Sequence, residues 1–253
     1  MSDPTGRFTG RADIYAEYRP SYPAAVLEIL ERACGLTPDA VVADIGSGTG
    51  KSAELFLANG NRVFAVEPNA EMRAVAERLF GADPKFASVG GRAEATELPG
   101  GSVDMIVAGQ AYHWFDPVAT RAEFLRILKP GGWVVLIWNT RLAEGNPFLA
   151  EYEALIVKFA TDYRVVDHRN IKPAEMAKFF GSRGFSTAAC GNHQDLDYAG
   201  LEGRLLSSSY IPAKGRPNHE EMIRELRALF DAHARGGKIR IEYRTDLYYG
   251  QIE

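Results

Sequence analysis

Five short apolar runs, separated by segments with helical periodicity, constrain the fold of this 253-residue chain most strongly. The runs are residues 41–45, 62–66, 86–89, 103–108 and 133–138. Strands that are apolar on both faces and alternate with amphipathic helices indicate a parallel sheet covered by helices on both sides. Right-handed crossovers leave few topologies, and a TIM barrel needs eight such units. We therefore predict an α/β doubly wound sheet.

Apolar stripes and alternation predict the remaining packing. The helix after the fourth run carries a stripe at Val118, Ala122, Leu125 and Leu128 that we expect to face the sheet. Residues 129–132, Lys-Pro-Gly-Gly, predict a turn. Apolar and charged residues alternate over 238–249, which predicts a half-exposed antiparallel edge strand. We also expect helices at 148–163, 173–182, 201–209 and 219–233, and a strand at 185–194.

The amino-acid composition argues against several kinds of binding partner. The net charge is −4 and no run of Lys and Arg forms a basic patch, which argues against nucleic-acid binding. Cys34 and Cys190 belong to no CxxC or Cys/His cluster, so we expect no metal site and a reducing, cytoplasmic location. Residues 1–10 lack the apolar stretch of a signal peptide, and no apolar run is long enough to span a bilayer. We expect no membrane partner.

A glycine-rich loop, residues 46–50, follows the first apolar run. In a doubly wound sheet, ligands bind outside the carboxyl ends of the strands, so this loop should form the floor of the binding site. Gly46 permits a tight turn, and Gly48 removes the β-carbon where ligand and backbone approach closely. Glu67 ends the second run, where a ribose diol needs a bidentate acceptor.

Two classes of cofactor fit such a loop. A dinucleotide site requires GxGxxG, but here the third glycine position is Lys51 and the spacing is GxGxG. Asp44 stands directly before the loop, and its carboxylate suits a cationic amino-acid ligand better than phosphates. S-adenosylmethionine carries an α-ammonium group and no phosphate, so the charges favour it. A nicotinamide-dependent oxidoreductase is the alternative.

Five ordered blocks resemble the class I S-adenosylmethionine-dependent methyltransferases: residues 42–50, 63–72, 91–99, 102–107 and 128–132. The resemblance implies a Rossmann-like sheet of seven strands, mostly parallel with an antiparallel last strand. It also implies methyl transfer that leaves S-adenosylhomocysteine. Residues 15–23 and 111–116 resemble the small-molecule branch that includes trans-aconitate methyltransferase, which favours a small-molecule acceptor, with a carboxylate as one candidate.

The resemblance divides one domain, residues 1–253, into three parts. Residues 1–39 form an N-terminal cap and first helix, residues 40–138 the cofactor-binding core, and residues 139–253 the acceptor-side helices and last two strands. The residues expected to hold the cofactor are Arg19, Asp44, Gly46, Ser47, Gly48, Glu67, Pro68, Asn69, Met72, Ala93, Glu94 and Gln110.

Roles near the acceptor also follow from the resemblance. Tyr18 is expected to close the pocket, and Arg19 to pair with the methionine carboxylate of the cofactor. His113 lies where the acceptor meets the methyl group and is the general-base candidate, although a purely orienting histidine is the alternative. Trp114 and Phe115 are expected to line the acceptor pocket. A non-catalytic S-adenosylmethionine-binding protein and an RNA methyltransferase are further alternatives, and the acidic balance disfavours the latter.

Overall fold

The computed structural model describes residue 6, residues 9–163 and residues 168–253. Residues 1–5 and 7–8, which belong to the predicted N-terminal cap, and residues 164–167 lie outside this description. Its strands are β1 (Val41–Ile45), β2 (Arg62–Val66), β3 (Phe86–Val89), β4 (Val103–Gly109), β5 (Leu128–Arg141), β6 (Ser186–Leu196) and β7 (Ile239–Gly250). Its helices are α1 (Ala12–Tyr18), α2 (Ala25–Cys34), α3 (Lys51–Ala58), α4 (Ala70–Phe80), α5 (Pro117–Ile127), α6 (Pro147–Phe159), α7 (Pro173–Phe180), α8 (Tyr198–Leu206) and α9 (His219–His233). Two single turns of 3-10 helix cover Tyr112–Trp114 and His168–Asn170.

The strands of the described chain form one seven-stranded sheet in the order β3-β2-β1-β4-β5-β7-β6. The first five strands pair in parallel, whereas β7 is antiparallel to both β5 and β6. The predicted doubly wound α/β sheet with an antiparallel strand is confirmed. The strand order reverses between β1 and β4, and such a switch point opens a crevice at the carboxyl ends of the strands.

Two predictions about the sheet were wrong in detail. Residues 129–132, predicted as a turn, lie inside β5, where the register with β4 shifts as in a β-bulge. The predicted edge strand β7 lies between β5 and β6, and β6 forms the edge. The alternation of β7 is present: Ile239 and Ile241 are buried and Arg240 is exposed. Alternation reports which face of a strand is buried, but not whether its hydrogen-bonding edge is covered.

Helix α5 packs on the sheet with a different face from the predicted one. Val118 is 70% exposed and Leu125 is 37% exposed, whereas Phe124, Ile127 and Thr120 are completely buried. The Phe124 and Ile127 side chains are larger than the Val118 side chain, which lies in the first turn of the helix. They therefore bury more apolar area against the sheet than the predicted stripe would. The helical periodicity was predicted correctly, but the face of the helix that packs on the sheet was not.

Four clusters of buried side chains organise the described residues, and the smallest of them packs α1 on α4. Two lie on opposite faces of the sheet, one packed under α2 and α3 and the other under α5 and α7. The third joins α6, α8 and α9 to the first half of β7. From here on, "the cap" means these three helices and not the predicted N-terminal cap of residues 1–39. Among the helices that the structure describes, none combines the length and the hydrophobicity needed to cross a membrane.

Candidate active site

A cleft opens at the carboxyl ends of β1, β2, β4 and β5, and it has two connected chambers. The Glu67 chamber, about 770 Å³, lies against β2 and α4 and includes Glu67, Asn69 and Met72. The arginine chamber, about 1170 Å³, lies under the cap and includes Arg141 and Arg204. The residues that line both chambers are Tyr15, Gly46, Gly48, Gly109, Gln110 and Trp114.

The glycine loop forms the floor shared by both chambers. The backbone amides of Gly46 and Ser47 both donate to the carbonyl of Val66, at 2.8 and 3.1 Å, which bends the loop towards the end of β2. Gly46 and Gly48 have φ of +68° and +57°. A β-carbon on Gly46 would lie 2.7 Å from Cβ of Ala111. Glycine is therefore required at Gly46 by both conformation and space, as the sequence predicted.

Glu67 holds this loop against the start of α4. Its Oε2 accepts from the Gly48 amide at 3.0 Å, and its Oε1 accepts from the Asn69 amide at 2.8 Å. Burial raises the pKa of Glu67, whereas the two amides and Arg73 partly oppose that rise. A carboxylate has about four lone-pair sites, so each oxygen can accept one further hydrogen bond, as a diol would require.

The rest of the Glu67 chamber is mostly apolar. Asn69 caps α4 through its side chain, which accepts from the Met72 amide at 3.1 Å. Met72 and Ala93 are buried and form apolar walls, and Glu94 and Pro68 also line the chamber. Phe115, which the sequence assigned to the acceptor pocket, lines this chamber instead. The reason is that the 3-10 turn ends just before Phe115 and directs its ring towards Gly46.

Asp44 lies beneath the cleft rather than on its surface. Its side chain is completely buried, and Oδ2 accepts from the Ser52 hydroxyl at 2.6 Å. Within the described chain, Oδ1 makes no hydrogen bond of ordinary geometry. Burial raises the pKa of Asp44 to about 7, opposed by Ser52 and the Ala53 amide and reinforced by Glu67. Asp44 lines neither chamber, whereas its hydrogen-bond partner Ser52 lines the arginine chamber, so the structure does not present Asp44 for the predicted direct contact with a ligand.

Helix α1 covers the cleft with a different tyrosine from the predicted one. Tyr15 lines both chambers, whereas the ring of Tyr18 packs so closely on Gly203 of α8 that a β-carbon there would lie 2.4 Å from it. The prediction that Tyr18 closes the pocket was wrong by one helical turn. Arg19 lines the arginine chamber and donates to the Ser207 carbonyl at 3.1 Å.

The segment after β4 brings Gln110, His113 and Trp114 to the cleft. Gln110 has φ of +58°, an unfavourable conformation for a residue with a side chain. Its backbone amide donates to the Ile137 carbonyl at 2.8 Å. The rings of His113 and Trp114 lie 4.6 Å apart. His113 lines the arginine chamber, and Trp114 lies at the boundary between the two chambers.

Sequence reasoning missed most of the arginine chamber. Arg141 is the last residue of β5 and donates to Glu153 at 2.6 Å, and the Tyr163 hydroxyl donates to the same carboxylate at 2.6 Å. Arg204 and Tyr210 come from α8 and the chain after it. Only Arg141 had a usable signal, its position at the carboxyl end of a predicted core strand. The others belong to no motif and meet only because the cap folds over the sheet.

Known proteins similar to this chain are methyltransferases. The family model described as "Methyltransferase domain" matches residues 43–136. An uncharacterized methyltransferase of Mycobacterium sp. (strain KMS) is 31% identical over 216 residues, covering 82% of this chain and 77% of the relative. An uncharacterized methyltransferase of Mycobacterium tuberculosis (strain ATCC 25618 / H37Rv) is 38% identical over 134 residues, 53% of this chain and 52% of the relative. The chain thus spans about half the length of that relative.

A solved structure shares the whole fold. A protein of Anaeromyxobacter dehalogenans, described as a candidate type II methyltransferase, superposes with a TM-score of 0.68 over 92% of this chain and 98% of its own. Its sequence identity is 23%, so the similarity concerns the fold. The mycobacterial relative that aligns over most of both chains carries the assignment further. The chain belongs to the class I S-adenosylmethionine-dependent methyltransferase family.

Proposed function

We propose that this protein transfers a methyl group from S-adenosylmethionine to a small-molecule acceptor bound in the arginine chamber. The observation that carries the proposal is the position of Glu67. Its buried carboxylate is fixed by two backbone amides beside a glycine loop at the switch point of the sheet. A carboxylate at this position suits a ribose diol in either class of cofactor. The glycine spacing disfavours a dinucleotide, because Lys51 stands where such a loop needs its third glycine.

The residues present fit the proposed cofactor. The apolar walls at Met72 and Ala93 suit an adenine ring, and a β-carbon at Gly48 would crowd this wall, at 3.2 Å from Met72 Cε. The buried Oδ1 of Asp44 is an acceptor placed near the loop. Arg19 would pair with the methionine carboxylate. When bound, the cofactor supplies an electrophilic methyl group on a sulfonium.

The chain's own contribution to the reaction is positioning and exclusion of water. Tyr15 and Trp114 stand where the two chambers meet, so they would shape the passage through which acceptor and methyl group approach. Holding the nucleophile in line can supply effective molarities of about 10⁵–10⁸ M. A carboxylate acceptor needs no base, whereas a phenol, alcohol or carbon acid would use His113, which lines the acceptor side.

The small-molecule branch is supported by where its two segments lie. Tyr15 and Arg19 from the first segment, and His113 and Trp114 from the second, all line the arginine chamber. The segments that resemble trans-aconitate methyltransferase are therefore the ones that would touch an acceptor. The net charge of −4 disfavours an RNA acceptor.

Calorimetric titration with S-adenosylhomocysteine and with NAD tests the proposal. We expect heat with the former only, and a loss of about 10- to 100-fold in its affinity for Glu67→Gln, because one charge-assisted hydrogen bond to the diol is removed. Glu77→Gln, an exposed position on the same side of the sheet, is the matched control and should bind as the wild type does. Binding of NAD alone, or an unchanged Glu67→Gln, would overturn the assignment. Methyl transfer in a broad acceptor screen separates an enzyme from a non-catalytic binding protein.

A further inference from the structure

The arginine chamber carries more positive than negative charge. Among the described residues that line it, one side chain is a carboxylate, Glu153, and the cationic side chains are Arg19, Lys51, Arg141, Arg169 and Arg204. Glu153 is shared by Arg141 at 2.6 Å and Arg169 at 3.3 Å. Its single charge is therefore already divided between two cations. Lys51 interacts with Glu54 outside the chamber, whereas Arg19 and Arg204 have no carboxylate partner among the described residues.

Arg204 is the clearest unneutralised cation. It is 4% exposed, and its guanidinium donates to the Tyr243 hydroxyl at 3.1 Å and to the Ser208 hydroxyl at 3.4 Å, both neutral acceptors. No carboxylate of the described residues pairs with it. Arg19 also donates only to neutral oxygens, and its Nε is buried without a hydrogen-bond partner. A buried guanidinium without a counter-ion is unfavourable, and a negatively charged ligand would supply the missing counter-charge.

The positive charges of these arginines affect the pKa values of other groups in the chamber. Burial raises the pKa of the Tyr210 hydroxyl, yet Arg141, Arg19 and Arg204 together lower it below the ordinary value of 10.0. Arg204 also lowers the pKa of Arg19 beyond what burial does, because the two cations repel each other. The five cationic side chains of the described lining outnumber its one carboxylate, so the potential in this chamber is positive.

The proposed cofactor does not relieve this potential. Its methionine part carries one ammonium and one carboxylate, and its sulfonium adds a further positive charge, so its net charge is +1. If its carboxylate pairs with Arg19, Arg204 and Arg141 still face the acceptor with Glu153 as the only carboxylate of the described lining. Because no other described residue of the lining supplies a negative charge, an anionic acceptor would balance these arginines.

We propose that the acceptor is an anion, and that Arg204, together with Arg141 and the Tyr210 hydroxyl, binds its carboxylate or phosphate group. A planar guanidinium fork donates to the two oxygens of either group. This inference rests on the proposed function, since it assigns the chamber beside the methyl donor to the acceptor. The fork selects acceptors by charge, and a neutral analogue of the same shape leaves the arginines unpaired.

Titrations with simple probes test this proposal independently of activity. Wild-type protein saturated with S-adenosylhomocysteine is titrated with glutarate, inorganic phosphate and the neutral glutaramide. We expect at least one of the two anions to bind and glutaramide not to, with the preferred anion distinguishing a carboxylate from a phosphate acceptor. Arg204→Gln should lose about 10- to 100-fold in affinity for that anion while its affinity for S-adenosylhomocysteine stays unchanged.

Two further variants keep the test decisive. Arg227→Gln removes an arginine that stacks on Tyr198 outside the cleft, 4.5 Å from the ring centroid, and should bind both ligands normally. Arg204→Lys keeps the charge without the fork and should fall between wild type and Arg204→Gln, with folding of each variant checked by circular dichroism. Anions that bind no tighter than glutaramide, or an unaffected Arg204→Gln, would overturn the acceptor assignment. Absence of S-adenosylhomocysteine binding would instead overturn the proposed function, since anion binding can be measured without it.

Discussion

Replacing Asp44 by asparagine should make the free protein more stable in alkaline solution and leave its stability in acid nearly unchanged. The carboxylate is completely buried, and burial raises its pKa from 3.8 to about 7. In the unfolded chain the group ionises near 3.8, whereas the folded protein retains the proton until about pH 7. Folding stability therefore falls as the pH rises from about 4 to about 7 and is level above that range.

The size of the effect follows from the same two pKa values. One pKa unit corresponds to 1.36 kcal/mol, so the ionised carboxylate costs the folded state about 4 kcal/mol relative to the protonated one. Asparagine keeps the shape and an oxygen that can accept from the Ser52 hydroxyl, but it never ionises. At pH 8.5 Asp44→Asn should exceed the wild type by up to about 4 kcal/mol, and near pH 4 the difference should vanish.

Urea unfolding at pH 4, 6 and 8.5 measures this difference. Asp104→Asn is the matched control on the same sheet, because the Asp104 carboxylate pairs with Lys129 at 2.7 Å and its pKa is lowered despite partial burial. That variant should be less stable than wild type at neutral pH. A pH-independent difference between wild type and Asp44→Asn, or a less stable Asp44→Asn at pH 8.5, would refute the reasoning. Asp44→Asn should also weaken S-adenosylhomocysteine binding if the carboxylate attracts the ammonium group.

Three other substitutions have defined outcomes. Gly46→Ala, with a β-carbon 2.7 Å from Ala111 and a φ of +68°, should lose about 2 kcal/mol or more in urea unfolding, and an unchanged midpoint would contradict the turn argument. His113→Ala should lower turnover by about 10²-fold or more for an acceptor that needs a base, with cofactor affinity nearly intact by calorimetry. A large loss of cofactor affinity would move His113 out of the acceptor side. Gly203→Ala should separate α1 from α8, because its β-carbon would overlap the Tyr18 ring, and limited proteolysis should then cut α1 faster; equal cleavage would argue against this docking.

The grouping of the residues that line the Glu67 chamber was largely predictable from the sequence. The loop at Gly46 and Gly48 and the acidic residue Glu67 lie at the ends of adjacent parallel strands, so local spacing alone placed them together. The predictions were wrong where the position of a side chain depended on how a helix is rotated or packed against the cleft. Tyr18 and Tyr15 are one helical turn apart, and nothing in the sequence says which faces the cleft. Phe115 was placed on the wrong side of the cleft for the same reason.

The sequence by itself determined the parallel core and the glycine loop, because strand period, helix period and glycine spacing are local properties that any fold of this class must respect. Only the tertiary structure decided which residues form the arginine chamber. Arg141 and Arg204 are 63 positions apart in the chain numbering and belong to different elements, and they converge because the cap packs its own apolar cluster over the end of the sheet. Long-range packing sets that convergence, and no local pattern encodes it.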